Sequence, residues 1–136
     1  MAARGYGVAL AVVLAVCVVS GCGAVAERQD DVRDAAARFQ SALRDDAYDR
    51  ACALLAPETE QELEQSAALP CPKALGQESL PAGGAVRHTD VYGNQARAVL
   101  ASDTLFLSRF TGGWKIVAAG CEPRPGRPYQ CTVKGG

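Results

Sequence analysis

The sequence predicts an α+β fold, with N-terminal helices packed on one face of a curved four-stranded antiparallel sheet. Two observations carry this expectation. Between residues 30 and 69, apolar side chains recur at helical spacing among Asp, Glu and Arg. Between residues 85 and 120, short β-rich runs are punctuated by Gly93-Asn94, Ser102-Asp103 and Gly112-Gly113, the chemistry of hairpin turns.

Each element follows from its residues. The stretch DDVRDAAARFQSALR, Asp30 to Arg44, sets Val32, Ala35, Ala36, Phe39 and Leu43 on one helical stripe. Asp30 or Asp31 suits its N-cap, and Arg44 suits its C-terminal end. DDAYDRACALLAP predicts a second helix from Asp45 or Asp46, with Tyr48, Ala51, Cys52 and Leu55 inward and Pro57 ending it. Pro57 then opens a third, acidic helix, PETEQELEQSAAL, where Glu58 and Glu60 complement the helix dipole. GQESLPAGG is loop chemistry. AVRHTDVY, QARAVLAS, TLFLSRFT and WKIVAAG are the four strands of a meander. The tail CEPRPGRPYQC reads as a Pro-rich loop that Cys131 staples back to the last strand.

Ahead of this domain, Arg4 precedes an apolar run from Val8 that ends at Ser20. A basic start, a short apolar core and small residues before a cleavage point make a secretory signal. The run is short for a membrane span, which needs about 20 apolar residues, and no basic stop-transfer cluster follows it. The sequence VSGC, Val19 to Cys22, resembles the lipobox of bacterial lipoproteins, with Val19 at its aliphatic position. The resemblance implies that residues 1–21 are removed and that the Cys22 thiol carries a diacylglyceryl group. The alternative is an ordinary cleaved signal with a free cysteine beside it, a liability in an oxidising compartment. Residues 22–29 then form a lipidated tether ahead of a single domain, residues 30–136. At about 3.3–3.6 Å per extended residue, the tether reaches at most about 25 Å. The domain is thus expected at the outer face of the cytoplasmic membrane, anchored without spanning it.

The 115 residues left after removal of the signal suffice for one core. Charge is segregated: residues 27–64 hold 11 acids and 5 bases, and residues 65–136 hold 4 acids and 8 bases. Such a dipolar module has no field strong enough for nucleic acid. Arg outnumbers Lys by 11 to 3, which points to a GC-rich bacterial genome. Four cysteines remain besides Cys17 and Cys22, namely Cys52, Cys71, Cys121 and Cys131. In an exported domain they predict two disulfides in one of three connectivities. Pairing Cys52 with Cys71 and Cys121 with Cys131 is favoured, because each pair brackets a local excursion of the chain, and the first would clamp the third helix on the second. A metal site is not expected: no CxxC occurs and the only histidine, His88, is remote in sequence from every cysteine. No cofactor motif is present.

Helices followed by a long sheet closing in FTGGWKIVAAGC, with Gly113-Trp114-Lys115-Ile116 opening its last strand, resemble the cystatin-like cone of nuclear transport factor 2-like proteins. With the lipobox and CEPRPGRPYQC, the chain resembles small actinobacterial lipoproteins carrying such a domain. The resemblance implies a pocket between sheet and helices, in a family that includes isomerases and polyketide cyclases beside non-catalytic members. Fold alone does not decide between them.

Catalysis in such a pocket needs an acid or base aimed into it. His88 and Asp90 lie two apart on one strand, hence on one face, and are the minority catalytic candidates, with Tyr48, Tyr92 and Asp103 behind them. Charged residues on an edge strand also serve simply to block sheet-to-sheet pairing. Tyr48 and Trp114 are the pocket candidates, although a lone Trp entering a strand is an ordinary core filler. The expectation is a non-catalytic, lipid-anchored binding or accessory module, held to the membrane by lipid and meeting an envelope protein or an apolar small ligand. The alternative is an isomerase- or cyclase-type enzyme, which requires His88 or Asp90 buried beside an open pocket.

Overall fold

The computed structural model describes residues 20–135, and side chains from residue 23 onward. Residues 1–19, most of the signal expected over residues 1–21, and the Cys22 side chain lie outside the described residues. Helix α1 spans Ser20–Arg44, α2 Tyr48–Leu54, α3 Pro57–Ala67 and α4 Cys71–Gln77. Strands β1 (Val86–Tyr92), β2 (Gln95–Leu100), β3 (Thr104–Phe110), β4 (Gly113–Arg124) and β5 (Arg127–Lys134) follow. They form one sheet in the order β1-β2-β3-β4-β5, with every neighbouring pair antiparallel.

Three expectations are corrected. The sheet has five strands, because CEPRPGRPYQC continues β4 and returns as β5. Its prolines are tolerated there, since β5 is an edge strand and the register shifts between Glu122 and Arg124, around Pro123. A fourth helix, α4, lies past the end of the third predicted helix and runs into the start of the predicted loop GQESLPAGG; Pro72 in its first turn suits a helix start. Residues 22–29 belong to α1 rather than to an extended tether. Ala24, Ala26, Glu27, Arg28 and Gln29 are strong helix formers, so the helix runs back through them. Asp30 and Asp31 are therefore interior helix positions, not caps.

Three contacts give the course of α1. Arg28 donates to the Gly93 carbonyl at the β1–β2 turn. Arg33 donates to the Val86 carbonyl at 3.2 Å, and the Gln40 side-chain oxygen accepts from the Gly83 amide. The helix thus crosses the sheet antiparallel to β1, entering at the β1–β2 turn. Its buried stripe, Val32, Ala35, Ala36, Phe39 and Leu43, meets Ala96, Ala98, Leu105, Leu107 and Ile116 from the sheet and Ala51, Leu63 and Leu75 from the other helices. Each large apolar side chain buried here contributes about 1.5–3 kcal/mol. Side chains from both layers thus form one core.

Backbone pairing and one carboxylate shape the rest of the sheet. The first half of β4 lacks β5 as a neighbour, and the α2–α3 link covers it: Leu55 forms a parallel bridge with Ile116, and the Ala56 amide donates to the Ile116 carbonyl at 2.8 Å. Further on, β4 bends at Gly120, whose φ of +63° suits glycine. Asp103 holds the bend, accepting from the amides of Thr104 at 2.7 Å, Cys121 at 2.9 Å and Gly120 at 3.1 Å. Beyond it the β4–β5 hairpin curls over the outer face of the sheet. Tyr129 packs edge-on against Phe106, with ring centroids 5.1 Å apart and planes at 75°.

Candidate functional site

The two disulfides are Cys52–Cys71 and Cys121–Cys131. Cys52 and Cys71, with Cα atoms 6.1 Å apart, tie α2 to the first residue of α4; the bridge does not join α2 to α3 as anticipated. Cys121 and Cys131 face each other across β4 and β5 and close the base of the curled hairpin. Disulfides persist in oxidising compartments, so both bridges fit a location outside the cytoplasm. No described helix is long and apolar enough to cross a membrane.

Strand pairing places Asp90, Arg97 and Phe106 in one row across β1, β2 and β3 on the outer face. His88 Nε2 lies 2.7 Å from Asp90 Oδ1, and Arg97 Nε donates to Asp90 Oδ2 at 3.0 Å. The Arg97 hydrogen bond holds the Asp90 carboxyl below its ordinary range, helped by His88 and opposed by desolvation. Asp90 in turn raises the Arg97 pKa, with a smaller contribution from Tyr129. The sequence-predicted His88/Asp90 pair therefore exists, but it faces away from the helices. The His88 side chain is 62% exposed and that of Asp90 19%. Both oxygens of the carboxylate are engaged, Oδ1 with His88 and Oδ2 with Arg97. Arg97, absent from the sequence reading, completes the cluster; its signal was the hairpin register that pairs it with Asp90.

A cleft of about 610 Å³ opens on the helical side between α1 and the β3–β4 turn, lined by Asp31, Asp34, Arg38, Arg109 and Trp114 among others. Arg38 and Ser41 also border a second hollow of about 290 Å³ that extends to Arg50 and Leu54 on α2. Trp114 is only 6% exposed; it belongs to the core and also forms the cleft wall. Among the described residues Arg38 and Arg109 make no ion pair, so two guanidinium groups and two carboxylates face one open hollow. This arrangement suits a polar, charge-bearing partner. A fully apolar ligand would leave those groups desolvated and unpaired.

Tyr48 is not in this cleft. Its ring lies over Gly76 of α4, where an added Cβ would sit 3.3 Å away, and its hydroxyl donates to Asp46 at 3.1 Å. That hydrogen bond to a carboxylate raises the phenol's pKa. Asp103 serves the backbone bend, and Tyr92 stands 66% exposed at the end of β1. No group of His, Cys, Asp and Glu among the described residues is arranged to hold a metal ion. Comparison with protein-family models, with curated proteins and with solved structures finds no match to this chain.

Proposed function

We propose that this chain is a lipid-anchored binding or accessory module of the bacterial cell envelope, exported to the outer face of the cytoplasmic membrane and non-catalytic. The observation that carries the reading is the lipobox-like VSGC at residues 19–22, directly ahead of a domain with two disulfides. A thiol placed after an apolar signal core and before a disulfide-bonded domain has a use as a lipid attachment point, and is otherwise a hazard. The helices-then-sheet order supports a cone of the nuclear transport factor 2-like kind, here with its interior filled by Phe39, Leu105, Leu107 and Ile116.

The partner surface on this reading is the Arg38/Arg109/Trp114 cleft, which favours a polar segment of an envelope protein over an apolar small molecule. The cyclase-type alternative needed His88 or Asp90 buried beside an open pocket, and the outward placement of both takes away its motivating observation. Fractionation of the native cell tests the anchor. The wild-type chain is expected in the membrane fraction and to require detergent for release. Cys22→Ala is expected to leave that fraction or to accumulate unprocessed. A wild-type chain found in the culture medium would overturn the reading.

A further inference from the structure

The large hydrophobic side chains exposed among the described residues are Val25, Tyr92 and Phe110, at 52%, 66% and 41%. Topology brings all three to one end of the molecule. Tyr92 ends β1 and Phe110 ends β3. In the register Tyr92 pairs with Gln95, and Gln95 with Ser108, so Tyr92, Ser108 and Phe110 share the outer face at the same edge. With strands about 4.8 Å apart and a rise of about 3.4 Å per residue, the Tyr92 and Phe110 Cα atoms lie roughly 12 Å apart. The two turns are joined by the Arg109 amide, which donates to the Asn94 carbonyl at 2.8 Å. Val25 stands on α1 one turn before Arg28, whose guanidinium holds the Gly93 carbonyl in the adjoining turn.

This is also the end from which α1 runs back to Cys22. Because residues 22–28 are helical, the rise from Cys22 to the level of the Gly93 turn is only about 9 Å at about 1.5 Å per residue. An extended chain would have allowed more than twice that. We infer that Tyr92 and Phe110 on the outer face, with Val25 at the same end on the helical side, form a membrane-docking edge that seats the domain tips-down in the headgroup region of the bilayer to which Cys22 is anchored. The inference rests on the lipid-anchor reading and deepens it. Tyr92 suits the headgroup level, where its ring is partly dehydrated and its hydroxyl stays wet, and Phe110 adds apolar area there. Charges near this end are mixed, with Arg28 and Arg109 against Glu27, Asp30 and Asp31, so the apolar side chains provide the attraction. In this pose the cleft beside Arg109 opens close to the membrane surface, within reach of a membrane-bound protein partner.

The test uses the full chain, processed in a bacterial host, purified from membranes and checked for its lipid by intact mass. It is reconstituted in phosphatidylcholine–phosphatidylglycerol vesicles containing lipid brominated on the acyl chains. Single variants Tyr92→Trp, Phe110→Trp and, as a distal control, Arg87→Trp are compared. Arg87 is exposed and lies about 17 Å back along β1. Docking predicts a blue shift and bromine quenching of the introduced indoles at 92 and 110, with the control and Trp114 unquenched. Equal quenching at all three sites, or none at 92 and 110 in a chain whose lipid is established, would overturn the docking edge while leaving the anchor intact. If the mass lacks a diacylglyceryl group, the anchor reading fails by itself and vesicle flotation of the unlipidated chain decides the rest. Binding that Tyr92→Ser and Phe110→Ser each weaken roughly fivefold to tenfold supports the edge, and no binding overturns it. A blue shift that needs concentrated protein and no vesicles would assign the edge to a second copy of the chain, and overturn it likewise.

Discussion

Removing the Cys52–Cys71 bridge is the perturbation whose magnitude follows most directly from the structure. The bridge closes a loop across a sequence separation of 19. In the chain-entropy model a loop of about 20 residues restricts the unfolded chain by about 11 cal/mol/K, or ~3.3 kcal/mol at 25 °C. Both cysteines are buried, at 5% and 1% exposure, so Cys52→Ala/Cys71→Ala also gives up packing of two sulfur atoms, ~1 kcal/mol more. The sum, about 4 kcal/mol, is a large part of the 5–15 kcal/mol typical of a domain of about this size. The bridge between Cys121 and Cys131 spans a separation of 10 and predicts a smaller loss, about 2.8 kcal/mol, which the hairpin's own ladder reduces further. Urea denaturation of a fragment of residues 23–136, followed by emission from Trp114, measures both. Emission from this single Trp reports the junction of sheet and α1. A loss below about 1 kcal/mol for the first pair, or a larger loss for the second, would refute the argument that Cys52–Cys71 holds the helical layer together.

Further predictions rest on single side chains. Phe39→Ala, at a fully buried position between α1 and the sheet, should cost about 3–5 kcal/mol in the same denaturation assay. Gly83→Ala would place a Cβ 2.5 Å from that of Asp103, the residue that holds the Gly120 bend. It should lower the Tm by several degrees and loosen the β4–β5 hairpin, read as faster amide exchange at Gly120 and Cys121. Asp90 has a folded pKa below its unfolded value, so its stabilisation is present above about pH 4 and is lost as pH falls through the folded value. Asp90→Asn should therefore cost about 0.5–1 kcal/mol at pH 7, discounted for the partial exposure of the cluster. The difference from wild type should shrink as pH falls below about 4 and vanish once the folded-state carboxyl is protonated, measured by thermal melts across pH.

The layered order of the fold was legible because its signals are local. The α1 stripe and the Gly93-Asn94 turn are sequence periodicities and turn chemistry, and the structure keeps them: Tyr92 pairs with Gln95 across that turn, and Val32, Ala35, Ala36, Phe39 and Leu43 are buried. The α4 helix was missed because its seven residues follow Pro70, include Pro72 and carry no periodicity long enough to read. The fifth strand was missed because prolines argue against a strand, and only the edge position of β5 makes them acceptable. The reach of α1 through residues 22–29 was legible in propensity but outweighed by the Asp30-Asp31 cap signal. The site was harder. His88 and Asp90 are close, as their spacing implied, yet which face they occupy depends on where the helices pack. Arg109 and Arg38 meet at the cleft only through tertiary folding, and nothing in the sequence marks them. Tyr48 and Trp114 looked alike as aromatic residues on amphipathic elements, but only Trp114 borders the cleft.

A lipid on Cys22 decides whether the domain is held at the membrane, and intact mass of the chain purified from its native membrane, with and without reductant, detects it. The expected mass is that of residues 22–136 plus a diacylglyceryl group, four hydrogens lighter before reduction than after, as two disulfides require. An unlipidated chain recovered from the medium, or a membrane-held chain with its signal uncleaved and Cys22 free, would contradict it.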